Sequence, residues 1–425
     1  MIIQNFSELG TTPERKMALN ILERGLRQAT SNIGLKKIIR KKRIVLGKKQ
    51  ILLSNYERIF LIGFGKAADS MIKTIDSLIK VNGGIVVIPQ NVRPLSLNKK
   101  FTIIHSSHPI PNRQSVLAAK QIIDFLQKRK SNDFVIFLIS GGGSSLVASP
   151  DGITLEDKKK LTEILLKSGA NIHEINCVRK HFSTIKGGRL VENLMCDAIS
   201  LVMSDVVGDD LSVIASGSTY RDKTTFNDVE DIFKKYSLTK FLPKRVLKRI
   251  DLGKKRQIPE TPKVSKIVNY IVGTNRDCLD AMCQESKTFG LCTKTVYCVS
   301  GEVGNAVKKL LELFPKKSKS CLIFGGETTV TLTGKGKGGR SMELVLQILK
   351  ETIGQNMTIA SIGTDGIDGN TDAAGAIASS NNSFNDIDSF LQNNDSYSFF
   401  KKYGGLIYTG STHTNLIDIG ILLKL

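Results

Sequence analysis

An α/β fold in two domains is predicted by three observations. Short apolar runs alternate with longer stretches of helical periodicity, several of those runs break into glycine-rich turns, and at 425 residues the chain exceeds what one core usually organises. Strand, turn and helix in repeated succession imply a parallel sheet covered on both faces.

The elements follow in order. From Thr12 to Lys37 the apolar positions recur at helical spacing, with Thr12 before Pro13 as cap and first-turn residue. RIFLI then leads into KAADSMIKTIDSLIK, GGIVVI follows, FTIIHS leads into SVLAAKQIIDFLQKR, and FVIFLIS precedes a further helix. In that helix Thr154, with Asp157 three residues on, forms a capping box. Residues 221–266 are rich in charge and carry three prolines, as expected of a helical lid and a domain connection. A second set of strands is predicted in KIVNYIVG, TKTVYCVS, SCLIFGG, TTVTLTG, MTIASIGTDG and GLIYTG. The boundary falls near residue 260, giving domains 1–260 and 261–425, with the first helix able to pack on either.

Composition narrows the class. Apolar residues at 41% and charged residues at 24% describe an ordinary globular protein, and no window is long and apolar enough to span a membrane. The amino-terminal stretch lacks the basic-then-apolar order of a signal peptide. The seven cysteines include no CxxC pair, which fits neither a disulfide framework nor a zinc site and points to a reducing cytoplasm. The net charge of +22 suits anionic metabolites. Nucleic acid is not expected as a partner, because aromatics are only 6% and Trp is absent, leaving few stacking platforms.

Three glycine turns carry the chemistry. They are Gly63-Phe64-Gly65-Lys66, Ser140-Gly141-Gly142-Gly143-Ser144-Ser145, and the stretch from Gly334 through Gly336, Gly338 and Gly339 to Arg340. Glycine lets successive amides converge, so each turn is a candidate anion cradle, and three cradles suggest a polyphosphate substrate. Lys66 stands at the mouth of the first. Residues 177–190 gather Arg179, Lys180, Lys186 and Arg189 as further cations for a substrate or phosphate. Asp205, Asp209 and Asp210 follow the apolar run AISLVM, a position suited to magnesium or to a proton-accepting base. Asp365, Asp368 and Asp372 miss the calcium-loop spacing. The first and third turns also fit GxGxxA and GxGxxG, so a nicotinamide enzyme stays open, although the strand after the first turn ends in Gln90 and not in a ribose-binding acid.

Taken together, GFGKAADSM, SSHPIPN, ISGGGSSLVASPDG, INCVRKHFSTIKGGRLVE, SDVVGDDLSVIASGST, GGETTVTLTGKGKGGR and DGIDGNTDAAGA resemble the glycerate 2-kinase family, and they come in the family's order over nearly the whole chain. The resemblance implies a Rossmann-like amino-terminal domain, a carboxy-terminal MOFRL domain, and a cleft between them in which ATP and a divalent cation such as Mg2+ convert D-glycerate to 2-phosphoglycerate. It implies catalytic roles for Lys66, Asp205 and Arg340. Further cleft residues implied are Glu327, on the nucleotide side, and the acids Asp365 and Asp368, as metal ligands with Asp205. Where the family motif reads GGRNQE this chain has Ser341 and Met342, and Val207, Ser218 and Asn370 replace family prolines. The alternative is a hydroxypyruvate reductase using NAD(P)H. A homodimer is one assembly left open.

Overall fold

The structure, a computed structural model, describes every residue except Ser31 and Lys316. It divides into two compact units, Gly34–Val272 and Met1–Ile33 together with Gly273–Leu425.

The Gly34–Val272 unit opens with a small antiparallel sheet of β1 (Ile39–Arg40), β2 (Arg43–Leu46) and β3 (Lys49–Leu52). Its main sheet contains β4 (Arg58–Phe64), β5 (Gly83–Pro89), β6 (Phe101–Ser106), β7 (Asp133–Ile139), β8 (Asp197–Met203) and β9 (Val268–Gly273), in the order β6-β5-β4-β7-β8-β9. The pairs from β6 to β8 are parallel. β5 and β7 are buried at every position, which is why their sequences are continuous apolar runs and not alternating ones. The chain winds outward from β4 to β6 and returns on the other side at β7. The strand order therefore reverses between β4 and β7, the place where open α/β sheets bind ligands beyond their carboxyl ends. At the opposite end the two strands are pinned by Arg58, whose Nε and Nη2 lie 2.7 and 3.0 Å from the Asp133 carboxylate. Burial alone would raise the Asp133 pKa, but the Arg58 hydrogen bonds and charge outweigh it and hold the carboxyl below its usual range.

Helix starts are set locally. The Thr154–Asp157 capping box is present, with reciprocal 3.0 Å bonds, and Asn112, Asn171, Thr225 and Thr274 cap their helices in the same way. The charged stretch 221–266 holds the helices Phe226–Lys235 and Lys244–Lys254, which pack with residues of Leu155–Lys167 and Ile172–His181 in a second apolar cluster.

The other unit is built on β10 (Cys292–Glu302), β11 (Ser320–Thr329), β12 (Thr358–Gly363), β13 (Gly375–Ser379), β14 (Leu406–Ile407) and β15 (Asp418–Lys424), ordered β10-β11-β15-β12-β13-β14. Only β10 and β11 pair in parallel; the other pairs are antiparallel. The helix Pro13–Thr30 packs on Asn275–Thr288 and β15. Gly25 permits the approach, since a Cβ there would stand 2.8 Å from the Met282 sulfur and 2.9 Å from Ile419.

Several expectations are revised. The run KIVNYIVG supplies β9, the edge of the first sheet, because Asn269 is tied to the segment after β8: its amide donates to the Thr219 carbonyl at 3.0 Å and its oxygen accepts from the Thr219 hydroxyl at 2.6 Å. The units accordingly part at residues 272 and 273, not near 260. SCLIFGG and the start of TTVTLTG form one strand, β11, which continues through Gly325-Gly326 because β10 and β15 pair with it there; residues 330–339 contain no strand. The stretch Thr12–Lys37 forms two helices, Pro13–Thr30 and Ile33–Ile38, with Asn32 at φ 50° between them; Ser31, within that expected helix, lies outside the described residues. β15 was not anticipated as a strand, although it sits centrally in its sheet.

Gly65 measures how tightly β4 and β7 are joined. Its φ of 130° is a glycine conformation, and a Cβ would fall 2.6 Å from the Ser140 carbonyl oxygen. Gly169, at φ 77°, has open space around it. Gly65→Ala is expected to cost more than the roughly 1–3 kcal/mol of backbone strain alone, whereas Gly169→Ala should cost no more than that strain. Urea unfolding of the two variants checks this, and equal losses would contradict the tight junction.

Candidate active site

The turn after β4 and the turn after β7 interlock through their backbones. The Lys66 amide donates to the Gly141 carbonyl at 2.8 Å, the Ala67 amide to the Ser140 hydroxyl at 2.9 Å, and the Ser140 amide to the Phe64 carbonyl at 3.2 Å. The Gly65 and Ala68 amides are also paired, with the carbonyls of Val87 and Gly65. The first turn thus has no amide from Gly65 to Ala68 left for a phosphate. Its GxGxxA pattern serves strand-to-strand closure, and the dinucleotide reading loses its pyrophosphate seat.

The middle turn is different. Among the described residues the amides of Gly141 and Gly142 donate to no protein group. Gly142 adopts φ 81°, a left-handed step that turns successive N–H groups into a concavity suited to an anion. A Cβ on Gly142 would stand 2.9 Å from the His108 ring and 3.5 Å from Lys66 Cγ, so glycine is needed and both side chains border the turn. Gly143 is packed against Phe64 and Ala215. The Ser144 hydroxyl bonds to that of Ser216 at 2.7 Å, and the Ser216 hydroxyl donates to the Asn176 side-chain oxygen at 2.9 Å. Ala215 and Ser216 hold left-handed φ values of 48° and 55°, strain of the kind that collects at functional sites.

Lys66, Ser140 and Asp205 follow the carboxyl ends of β4, β7 and β8, three adjacent parallel strands in which Ile139 pairs with Phe64 on one side and Val202 on the other. Adjacent strands lie about 4.8 Å apart, so the sheet itself brings these residues to one edge. Lys66 and Asp205 are half-buried. Lys186 reaches the same turn, its Nζ 3.2 Å from the Ser144 carbonyl, and is 1% exposed. Arg189 instead pairs with Asp151 at 3.0 Å and donates to the Pro259 carbonyl at 3.0 Å, spending its charge on the fold. Lys180 pairs with Asp222 at 3.2 Å. Arg179 is half-buried beside them.

The third turn, in the other unit, also departs from a free cradle. The Gly334 amide donates to the Asn394 side chain at 2.9 Å, Lys335 to that of Asn393 at 3.1 Å, Gly336 to the Asn393 carbonyl at 2.8 Å, and Lys337 to Asp395 at 2.9 Å. Its glycines allow close packing: Cβ atoms on Gly338 and Gly339 would overlap Ser396 and Asp368. What the loop delivers is Arg340, the first residue of the helix Arg340–Glu351. Asp418 grips the guanidinium, with Nε at 2.6 Å and Nη2 at 3.1 Å, and Glu327 accepts from Nη1. Burial disfavours the charge, but the two carboxylates outweigh it and keep Arg340 protonated. Two of its five N–H donors remain, and about a third of the side chain is exposed.

Asp368 caps that helix, accepting from the amides of Ser341 at 3.1 Å and Met342 at 2.7 Å. Burial first, then the neighbouring Asp418 charge, push its pKa up to about 7, and burial pushes Asp418 up to about 6. Each Asp368 oxygen thus accepts one helix amide. Asp365 accepts the Ile367 amide at 3.2 Å. Among the described residues no three His, Cys, Asp or Glu groups are placed to hold a cation. Met342 is fully buried in the core, and the buried Ser341 hydroxyl has no partner among the described residues.

Sequence reasoning missed Asp418, His108, Asn176 and Ser216. His108, Asn176 and Ser216 lay in recognisable motifs, SSHPIPN, INCVRKHFSTIKGGRLVE and ASGST; Asp418 belongs to the unanticipated β15.

A doubly wound sheet with an unspent amide turn and lysines at its switch point defines an α/β protein with a concavity suited to a small anion. Residues 17–251 match a family described as a domain of unknown function, DUF4147, and residues 320–418 match the MOFRL family. A glycerate 2-kinase of Pyrococcus horikoshii is 37% identical over 86% of this chain and 87% of its own length, and a D-glycerate 2-kinase of Thermotoga maritima is 36% identical over 86% and 90%. The solved structure of a Thermotoga maritima glycerate kinase superposes with a TM-score of 0.81 at 33% identity, covering 96% of this chain and 99% of that one. Two Agrobacterium vitis relatives carry the name hydroxypyruvate reductase only provisionally. The chain belongs to the glycerate 2-kinase family.

Asp368 yields a prediction whose sign follows from linkage. The folded carboxyl keeps its proton up to about pH 7, the unfolded one only to about pH 4. The folded state therefore binds more protons between those values, and this stabilisation, full at low pH, is lost as pH rises from about 4 to 7. The Tm difference between wild type and Asp368→Asn should move in favour of wild type on acidification from about pH 7 to about pH 5. A pH-independent difference would contradict the assignment.

Proposed function

We propose that the chain transfers the γ-phosphoryl group of ATP to the 2-hydroxyl of D-glycerate. The observation that carries this reading is the turn Ser140–Ser145, whose free amides stand beside Lys66 at the sheet's switch point in a chain of this family. Phosphoryl transfer asks mainly for positioning and for positive charge about the transferring group. Lys66 and the amides of Gly141 and Gly142 hold the substrate carboxylate or the transferred phosphoryl. Asp205 accepts the proton of the attacking hydroxyl or holds the metal, and Asp365 remains a metal candidate. Arg340, kept charged and oriented by Asp418 and Glu327, offers its two remaining donors to phosphate oxygens. Magnesium, when bound with the nucleotide, neutralises phosphate charge. Placement in the cytoplasm is part of the proposal, supported by seven cysteines that are all free thiols.

Purified protein with D-glycerate, ATP and magnesium should release ADP, with 2-phosphoglycerate identified by NMR. Lys66→Ala and Arg340→Ala should each lose about 100- to 1000-fold in kcat/KM, against little change for the exposed control Lys317→Ala. No ADP from the wild type, together with NADH oxidation on hydroxypyruvate, would overturn the reading.

A further inference from the structure

Behind the Ser140–Ser145 turn lies a group of cations with no visible counter-charge. Lys186 is 1% exposed and Lys158 is 7% exposed, while Arg179 is half-buried. They come from three places in the chain: the helix Leu155–Lys167, the helix Ile172–His181, and the loop leading to residue 189. Lys158 reads in the sequence as one of a run of solvent-facing lysines, KKK at 158–160. The fold turns it inward, where it packs among buried residues of its helix such as Leu161.

The three groups feel one another. Burial first, then Arg179, lowers the Lys158 pKa to about 8; burial, then Lys158, Arg179 and Lys180, drives Lys186 well below the usual lysine value. No carboxylate is among the charges acting on Lys158, Lys186 or Arg179. Two acids of the same unit are spent on other cations: Asp222 on Lys180, and Asp151 on Arg189 and Arg249. Burying several like charges without an anion is costly, and folded proteins avoid it unless a ligand completes the site. The cluster is joined to the turn by the Lys186 bond to the Ser144 carbonyl and by the Ser144–Ser216–Asn176 chain, whose last member lies on the same helix as Arg179.

We propose that Lys158, Arg179 and Lys186 form an anion subsite behind the Ser140–Ser145 turn that takes the carboxylate of the three-carbon hydroxy acid. This rests on the kinase reading for the identity of the acid, and for the subsite on the burial of Lys158 and Lys186 and the contact of Lys186 with the turn. It also divides the labour at the turn: this subsite fixes the carboxylate, and the Gly141 and Gly142 amides with Lys66 are left for the group being transferred. A nucleotide phosphate shares the chemistry of a small oxyanion and is the competing source.

The test is thermal unfolding of the full chain with D-glycerate, with glycerol and with ADP, for wild type, Lys158→Met, Lys186→Met and the exposed control Lys160→Met. Without ligand, Lys186→Met and Lys158→Met should melt no lower than wild type, because a buried uncompensated charge has been removed. D-glycerate should raise the Tm of wild type and Lys160→Met. In the other two variants the glycerate concentration for the same shift should rise about ten- to a hundredfold, the range for losing a charge-assisted hydrogen bond. Glycerol, lacking the carboxylate, should give no shift, and the ADP shift should be unaffected. Undiminished glycerate shifts in both variants, or none in wild type, would overturn the proposal. Loss of the ADP shift with the glycerate shift intact would transfer the subsite to a nucleotide phosphate and overturn the carboxylate assignment. Should Lys186→Met fail to fold, Lys158→Met carries the same test. If wild type makes no ADP from ATP and glycerate yet shows the variant-sensitive shift, the kinase reading fails and the subsite stands; turnover with unaltered shifts is the reverse.

Discussion

The fixed point of the Gly34–Val272 unit is the backbone clamp between the turns after β4 and β7. Lys66 and Ala67 give their amides to Gly141 and Ser140, and Ser140 gives its own to Phe64. The clamp exists because the strand order reverses there, so that two neighbouring strands end side by side while their helices depart in different directions. Every amide spent on the clamp is withdrawn from ligand binding. What remains, the amides of Gly141 and Gly142, is thereby located by subtraction, and Lys66 is placed at the same spot because its own backbone is part of the clamp.

A parallel economy of donors governs Arg340. The glycine loop before it ties the amides of Gly334, Lys335, Gly336 and Lys337 to Asn393, Asn394 and Asp395 within its own unit, ahead of the helix Arg340–Glu351. Asp368 holds the first amides of that helix, and Asp418 and Glu327 hold the guanidinium. A long flexible side chain becomes a fixed donor pair, which is what stabilising developing phosphate charge requires. Burial pushes the Asp368 pKa up to about 7, and its carboxyl accepts the amide of Ser341, the residue after that arginine.

Much of the fold was legible in the sequence for a simple reason. Buried parallel strands are continuous apolar runs, and RIFLI, GGIVVI and FVIFLIS are such runs bounded by glycine turns. What failed depended on contacts distant in sequence. The strand β9 was assigned to the wrong set because its partner is fixed by Asn269 with Thr219, fifty residues away. Glycine turns look alike in sequence, yet the first spends its amides on partners such as Val87 and Ser140, and the third spends those of Gly334 to Lys337 on Asn393, Asn394 and Asp395. Lys158 stands in a run of three lysines, so nothing local marks it as buried, and nothing in the local sequence of Asp418 marks it as the partner of Arg340.

The central claim is that the middle turn binds an anion through its backbone. Amide chemical shifts of glycine-labelled protein, followed while D-glycerate and then ADP are added, test it most directly. The account predicts saturable shifts at Gly141 and Gly142 with little change at Gly65 and Gly336, whose amides are already bonded to Val87 and Asn393. Shifts confined to Gly65 or Gly336, with Gly141 and Gly142 unmoved, would contradict it.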